Sequence, residues 1–297
     1  MIIQHLTATG RVGQGRGRVT LGLAAIAVML SACAEPEIIL PGERENVRAV
    51  LQNPGVDALP RDLPTPPNTA RAIALSAQQS NPSWTQGTGT QASRVAHAAL
   101  RAGPQMAWSA DIGEGNGRKH RITADPVVSG GAIFTLDAQA GVTATSAGGG
   151  TIWSRDLTPA SDKSGDSTGG GLAVAGDTLY VSIGFGVLAA LDTATGATRW
   201  TQDLIGSGSG TPTVSGDLVY LTSGDNTGWA LRRSDGRVQW QTGTTNSFEN
   251  VLGAPAPAVT NDLAIMAFGT GEVQALFRQG GLERWTTSVV GKRPGRA

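Results

Sequence analysis

Few side chains in this sequence are placed for chemistry, and their types and spacing say which kinds. Cys33 is the only cysteine among the 297 residues. It cannot form an internal disulfide, so it is either an incidental buried thiol or an acylation point. Past residue 33 the only histidines are His97 and His120. His120 lies in Arg118-Lys119-His120-Arg121, a basic run that reads as a solvated face or as a patch for an acidic partner. Asp162-Lys163-Ser164-Gly165-Asp166-Ser167 and Gly224-Asp225-Asn226-Thr227 are rich in oxygen. Neither has the alternating spacing that turns several oxygens onto one calcium ion, so both read as polar turns. The clusters Gly113-Glu114-Gly115-Asn116-Gly117 and Gly206-Ser207-Gly208-Ser209-Gly210 lack the Lys-Ser/Thr and the helix of a phosphate loop. They read as linkers. No nucleophile, base and orienting acid can be assembled from these parts. The sequence therefore predicts a protein that is no enzyme and has no metal or cofactor of its own.

The surroundings of Cys33 explain its isolation. Arg11, Arg16 and Arg18 make a basic start, and Val19 to Leu30 is a mostly apolar run of twelve residues. Such a run is too short to cross a bilayer but suits a signal peptide. Leu30-Ser31-Ala32-Cys33 resembles the bacterial lipobox, in which the cysteine becomes the lipidated first residue of the mature chain. Lipid at Cys33 would hold the protein on a membrane without spanning it. Ala34-Glu35 follows where an aspartate would signal inner-membrane retention. The resemblance thus implies the periplasmic face of the outer membrane.

With 23 basic and 23 acidic side chains the formal charge is zero, which argues against nucleic acid as a partner. The 42 glycines and a charged fraction of only 15% suit a turn-rich all-β protein. Residues 34–104 are rich in Pro, Ala, Gln, Asn and Ser and read as a tether of low structure. Glu43 to Gln52 can form one short helix there, after Pro41-Gly42. Asp62-Leu63-Pro64-Thr65-Pro66-Pro67 is extended linker. Trp84 either docks on the folded body or stands alone in the tether.

From residue 105 to 290 the chain repeats itself. Trp153, Trp200, Trp240 and Trp285 follow one another at separations of 47, 40 and 45, and Trp108 precedes the first by 45. Four residues before each of the four stands a glycine, Gly149, Gly196, Gly236 and Gly281. Ala190-Leu191, Ala230-Leu231 and Ala275-Leu276 begin ten residues before the last three. Hairpin turns recur at Gly130-Gly131, Gly176-Asp177, Gly216-Asp217 and Asn261-Asp262. Between these landmarks lie runs of four to six apolar residues, such as those of 171–204. A period of about 44 residues with four strands each predicts β-propeller blades, about four of them. Trp108, Trp153, Trp200, Trp240 and Trp285 are expected as wedges between blades. The strand from Gln105, with a closing Trp but no blade ahead of it, is expected to complete the last blade. Residues 291–297 form a tail.

Ala190-Leu191-Asp192-Thr193-Ala194-Thr195-Gly196-Ala197-Thr198-Arg199-Trp200 is similar to the A-L-D-x-x-T-G-x-x-x-W repeat of quinoprotein-like (PQQ-type) β-propellers. That family closes with about eight blades. From Trp108 to Ala297 there are only 190 residues, so the resemblance implies a C-terminally truncated form. Repeat and lipobox together resemble the BamB family, lipoproteins of the outer-membrane β-barrel assembly machinery. The resemblance implies a scaffold that binds the barrel-forming subunit, BamA, and nascent outer-membrane proteins. It places partner-binding residues in the loop before the fourth repeat: Phe248, Glu249, Asn250, Val251 and Leu252. Phe248 and Leu252 either meet the partner or tuck into the propeller. Other readings are a periplasmic PQQ-dependent dehydrogenase-like protein and a carbohydrate-binding propeller. Against the former, quinoprotein enzymes typically carry an adjacent cysteine pair, and this chain has one cysteine.

Overall fold

Short apolar runs cut by Gly and Asp keep every strand to six residues or fewer. A computed structural model describes residues 74–87, 90–92, 97–206, 210–244 and 254–289. Contacts divide the chain into two units, Met1–Ala72 and Ile73–Ala297, and all described residues lie in the second. Cys33, the short helix expected over 43–52 and the loop Phe248–Leu252 lie outside the described residues.

The described residues hold strands and no helix. Blade I comprises β1 (Val127–Ser129), β2 (Ala132–Leu136), β3 (Gly141–Ser146) and β4 (Thr151–Asp156). Blade II comprises β5 (Gly170–Ala175), β6 (Thr178–Ile183), β7 (Val187–Asp192) and β8 (Thr198–Asp203). Blade III comprises β9 (Thr213–Ser215), β10 (Leu218–Thr222), β11 (Thr227–Arg232) and β12 (Val238–Gly243). Blade IV comprises β13 (Ala258–Val259), β14 (Leu263–Ala267), β15 (Glu272–Phe277) and β16 (Glu283–Ser288). Each blade is an antiparallel meander in sequence order. The protein is an all-β propeller-type structure of four-stranded blades.

No blade has a core of its own. In β6, Leu179, Val181 and Ile183 pack toward blade I with Phe134, Leu136 and Val142. Tyr180, between them in sequence, packs toward blade III with Val219 and Leu231. Alternate residues of one strand thus serve two interfaces, which is why β6 is buried along its whole length. Blades III and IV meet the same way through Tyr220, Trp240, Met266 and Leu276. First strands of successive blades are neighbours, β1 with β5, β5 with β9 and β9 with β13. They form the inner side of the arc, while the fourth strands stand outermost and exposed.

The Ala landmarks have a register meaning. Ala190, Ala230 and Ala275 lie opposite Trp200, Trp240 and Trp285, and the ladder shifts at the following residue in each blade. Residues directly opposite share a face, so a methyl group there leaves room for the indole. Blade I has the same pair, Ala144 opposite Trp153 with a shift before Thr145. It escapes the sequence pattern because its β3–β4 turn is one residue shorter.

The inner side is not left bare. Val128 donates its N–H to Trp84 O at 2.7 Å, and Val174 to Thr85 O at 2.7 Å. Val214 donates to Gln86 Oε1 at 2.8 Å, and Val259 to Gln91 O at 2.7 Å. These valines hold equivalent places, 25 or 26 residues ahead of the Trp of their blades. A segment expected within the tether therefore crosses the first strands of all four blades. The strand expected from Gln105 does not form. No strand among the described residues offers it a ladder, and only its Trp108 engages the blades.

Candidate partner-binding surfaces along the blades

The five indoles expected as wedges occupy related places, and four of them meet the next blade alike. Trp153 donates Nε1–H to Thr193 O at 2.9 Å, Trp200 to Arg233 O at 3.1 Å, and Trp240 to Arg278 O at 2.8 Å. Trp108 donates to Ala147 O at 2.9 Å. Each ring lies on the glycine four residues before the receiving blade's own Trp. A β-carbon on Gly236 would stand 2.6 Å from Trp200 Cε3, and one on Gly281 2.7 Å from Trp240 Cδ2. With φ of +74° and +67° these positions also need the left-handed backbone that glycine adopts freely. Trp285 is 40% exposed. Among the described residues no glycine socket receives it.

A second layer backs each wedge. Phe134, Tyr180 and Tyr220 lie 5.8–5.9 Å from the ring centres of Trp153, Trp200 and Trp240 in tilted contact. Arg233 and Arg278, in equivalent places of blades III and IV, reach back one blade. Arg233 Nη2 donates to Ala175 O at 3.2 Å, and Arg278 Nη2 to Ser215 O at 3.0 Å. Arg278 also donates from Nε to Tyr220 Oη at 3.2 Å. Burial raises the Tyr220 phenol above its usual range, and Arg278 offsets part of that rise. Both stand seven residues before the Trp of their blade, but blade II has Thr193 at that place, so no repeat of all the blades marked them.

Blades II and III leave between them an open cleft of about 720 Å³. Its wall carries Asp177, Arg199, Arg232 and Arg233 beside Tyr180 and Trp200. Arg199 binds Asp177 at 2.8 Å and Asp192 at 2.7 Å. The guanidinium holds the Asp177 carboxyl down at about 2, with Thr178 adding a hydrogen bond. Asp192 is lowered by the same guanidinium and by Thr195, while Arg199 itself is raised by its two carboxylates. Asp192 Oδ1 also accepts the N–H groups of Ala194 and Thr195. The Asp-x-x-Thr of the repeat is thus a turn cap. A second cleft, about 560 Å³, opens on blade IV beside Phe277, Arg278 and Arg284. Arg284 stands 5.8 Å above the Phe277 ring. Both clefts are open to solvent and carry charged side chains, Asp177 and Arg199 in the first and Arg278 and Arg284 in the second.

His120, His97 and Asp225 hold loops. His120 Nε2 donates to Gly165 O at 2.6 Å, and His97 Nδ1 lies 2.7 Å from Ser76 O. Asp225 accepts from Ser223 Oγ and from Thr227 at 3.1–3.2 Å, so its oxygens serve their own turn. Among the described residues no three His, Cys, Asp or Glu side chains are grouped to hold a metal ion.

BamB from Moraxella catarrhalis is 22% identical, with coverage of 59% of this chain and 52% of its own and a TM-score of 0.49. Quinohemoprotein alcohol dehydrogenase ADHIIG from Pseudomonas putida HK5 is 16% identical, with coverage of 70% and 40% and a TM-score of 0.55. Quinohemoprotein alcohol dehydrogenase from Comamonas testosteroni is 17% identical, with coverage of 70% and 41% and a TM-score of 0.52. At such identity the likeness to the two dehydrogenases shows the fold alone. The chain spans about half or less of these structures. Among functionally curated proteins none matches it. A family model described as outer membrane protein assembly factor BamB matches residues 138–297, more than half of the sequence. With that match, blades and repeat both accounted for, the chain belongs to the outer membrane protein assembly factor BamB family.

Proposed function

We propose that this protein is a non-catalytic scaffold lipoprotein of outer-membrane protein assembly, anchored by lipid on Cys33 at the periplasmic face of the outer membrane. It binds a BamA-like barrel-forming subunit and aids assembly of nascent outer-membrane proteins. The family match over residues 138–297 carries this reading. Support also comes from the open, charge-lined cleft between blades II and III, which suits protein side chains better than a small substrate. The partner-binding loop of the proposal is Phe248–Leu252, with Phe248 and Leu252 as apolar contacts.

Capture of the barrel-forming subunit by the lipidated protein tests the proposal. Phe248→Ala with Leu252→Ala is expected to reduce capture while the β-type circular dichroism stays unchanged. Capture of soluble enzymes alone would reject the scaffold, and undiminished capture by the double variant would eliminate that loop.

The dehydrogenase reading draws on the shared fold. Against it, no three His, Cys, Asp or Glu side chains are grouped among the described residues, where a calcium beside a quinone would draw on clustered oxygen ligands. Addition of PQQ with calcium is accordingly expected to leave the melting temperature unchanged.

A further inference from the structure

The segment that crosses the inner strands is bound as a ligand would be. Trp84 and Val128 exchange two backbone hydrogen bonds, at 2.8 and 2.7 Å. Thr85 O accepts from Val174, and the Gln86 carboxamide oxygen accepts from Val214. Gln86 is only 9% exposed, whereas residues 74–83 on its N-terminal side are exposed throughout. Apart from the bond of Gln91 O to Val259 on blade IV, the hydrogen bonds to the first strands therefore come from residues 84–86 alone. Moreover, the receiving strands are completed without it, since β1, β5 and β9 each pair with the second strand of their own blade.

We infer that the inner groove of β1, β5 and β9 is a binding site for an extended peptide carrying a carboxamide side chain, and that residues 84–86 fill it in cis. Main-chain pairing to an exposed strand edge gives affinity for any extended backbone. The one side chain that is read is that of Gln86. A carboxamide satisfies the buried Val214 N–H without charge, whereas a carboxylate in that place would bury a charge. An alkyl side chain would leave the N–H unpaired. The partner is thus an extended segment with Gln, and not Glu or Ala, at the third position of the pairing. This inference stands apart from the proposed scaffold role, because it rests on residues 84–86 and the strands that receive them and not on the Phe248–Leu252 loop.

The test lets the whole chain fold before the segment is severed. A protease recognition sequence is inserted at Arg101-Ala102-Gly103, which are exposed, and the purified protein is then cut. The probe is a fluorescein-labelled heptapeptide of residues 81–87, Asn-Pro-Ser-Trp-Thr-Gln-Gly. The cut protein is expected to release its N-terminal fragment and bind one heptapeptide, while the uncut protein binds none. Heptapeptides with Gln86→Glu or Gln86→Ala should bind about tenfold more weakly. Equal binding by the altered peptides overturns the inference, as does equal binding by cut and uncut protein. Retention of the severed fragment against excess heptapeptide also overturns it. Loss of the β-type circular dichroism on cutting does the same, for it would make the segment part of the fold itself.

Discussion

Gly236 carries one of the tightest constraints in the molecule. Its φ of +74° and the 2.6 Å approach of Trp200 to a β-carbon both exclude a side chain. Gly236→Ala is expected to push the indole off Arg233 O and to destabilise the fold by about 1–3 kcal/mol, read by urea denaturation. Asp177 is a different kind of residue, exposed but held by Arg199. Its carboxyl titrates at about 2 in the folded protein against an ordinary 3.8. A depressed carboxylate stabilises the fold above its unfolded pKa, and the contribution disappears as the pH falls from about 4 toward 2. Asp177→Asn should therefore flatten the acid limb of a stability–pH curve, and the stability it loses above pH 5 should be nearly the same at every pH. Because the pair is exposed, added salt should shrink the difference.

At the scale of strands and blades, the aromatic wedges should dominate. Trp240 is 8% exposed and lies between Tyr220 and Gly281. Trp240→Ala is expected to cost about 3–5 kcal/mol by denaturation. These elements were legible in the sequence because one blade demands the same residue types at the same places each time. A positive-φ turn needs Gly, a wedge needs Trp, and the residue opposite the wedge must be small. Of the inner segment only the docking of Trp84 was legible, as one of two open readings, and its course across the blades was not. Trp84 and Thr85 contribute backbone groups, which any residue has, and one glutamine makes no period. Arg233 and Arg278 were missed for a related reason, since each finds its acceptor in the preceding blade. The Phe248–Leu252 loop rests on family resemblance alone, as nothing in its spacing marks it.

For the whole molecule, the decisive property is that cores lie between blades and not within them. Stability then behaves as a sum over neighbouring seams. Weakening one seam should separate what lies on either side. Trp200→Ala, between blades II and III, is expected to turn a single calorimetric transition into two overlapping ones. A transition that stays single and moves only in midpoint would show that the blades melt as one body.

Each blade carries an indole on one flank and its glycine socket on the other. A duplicated unit would consequently arrive with both halves of its fastening already made, and would join its neighbours without any compensating substitution. Growth and loss of such proteins by whole units is then open to evolution in single steps.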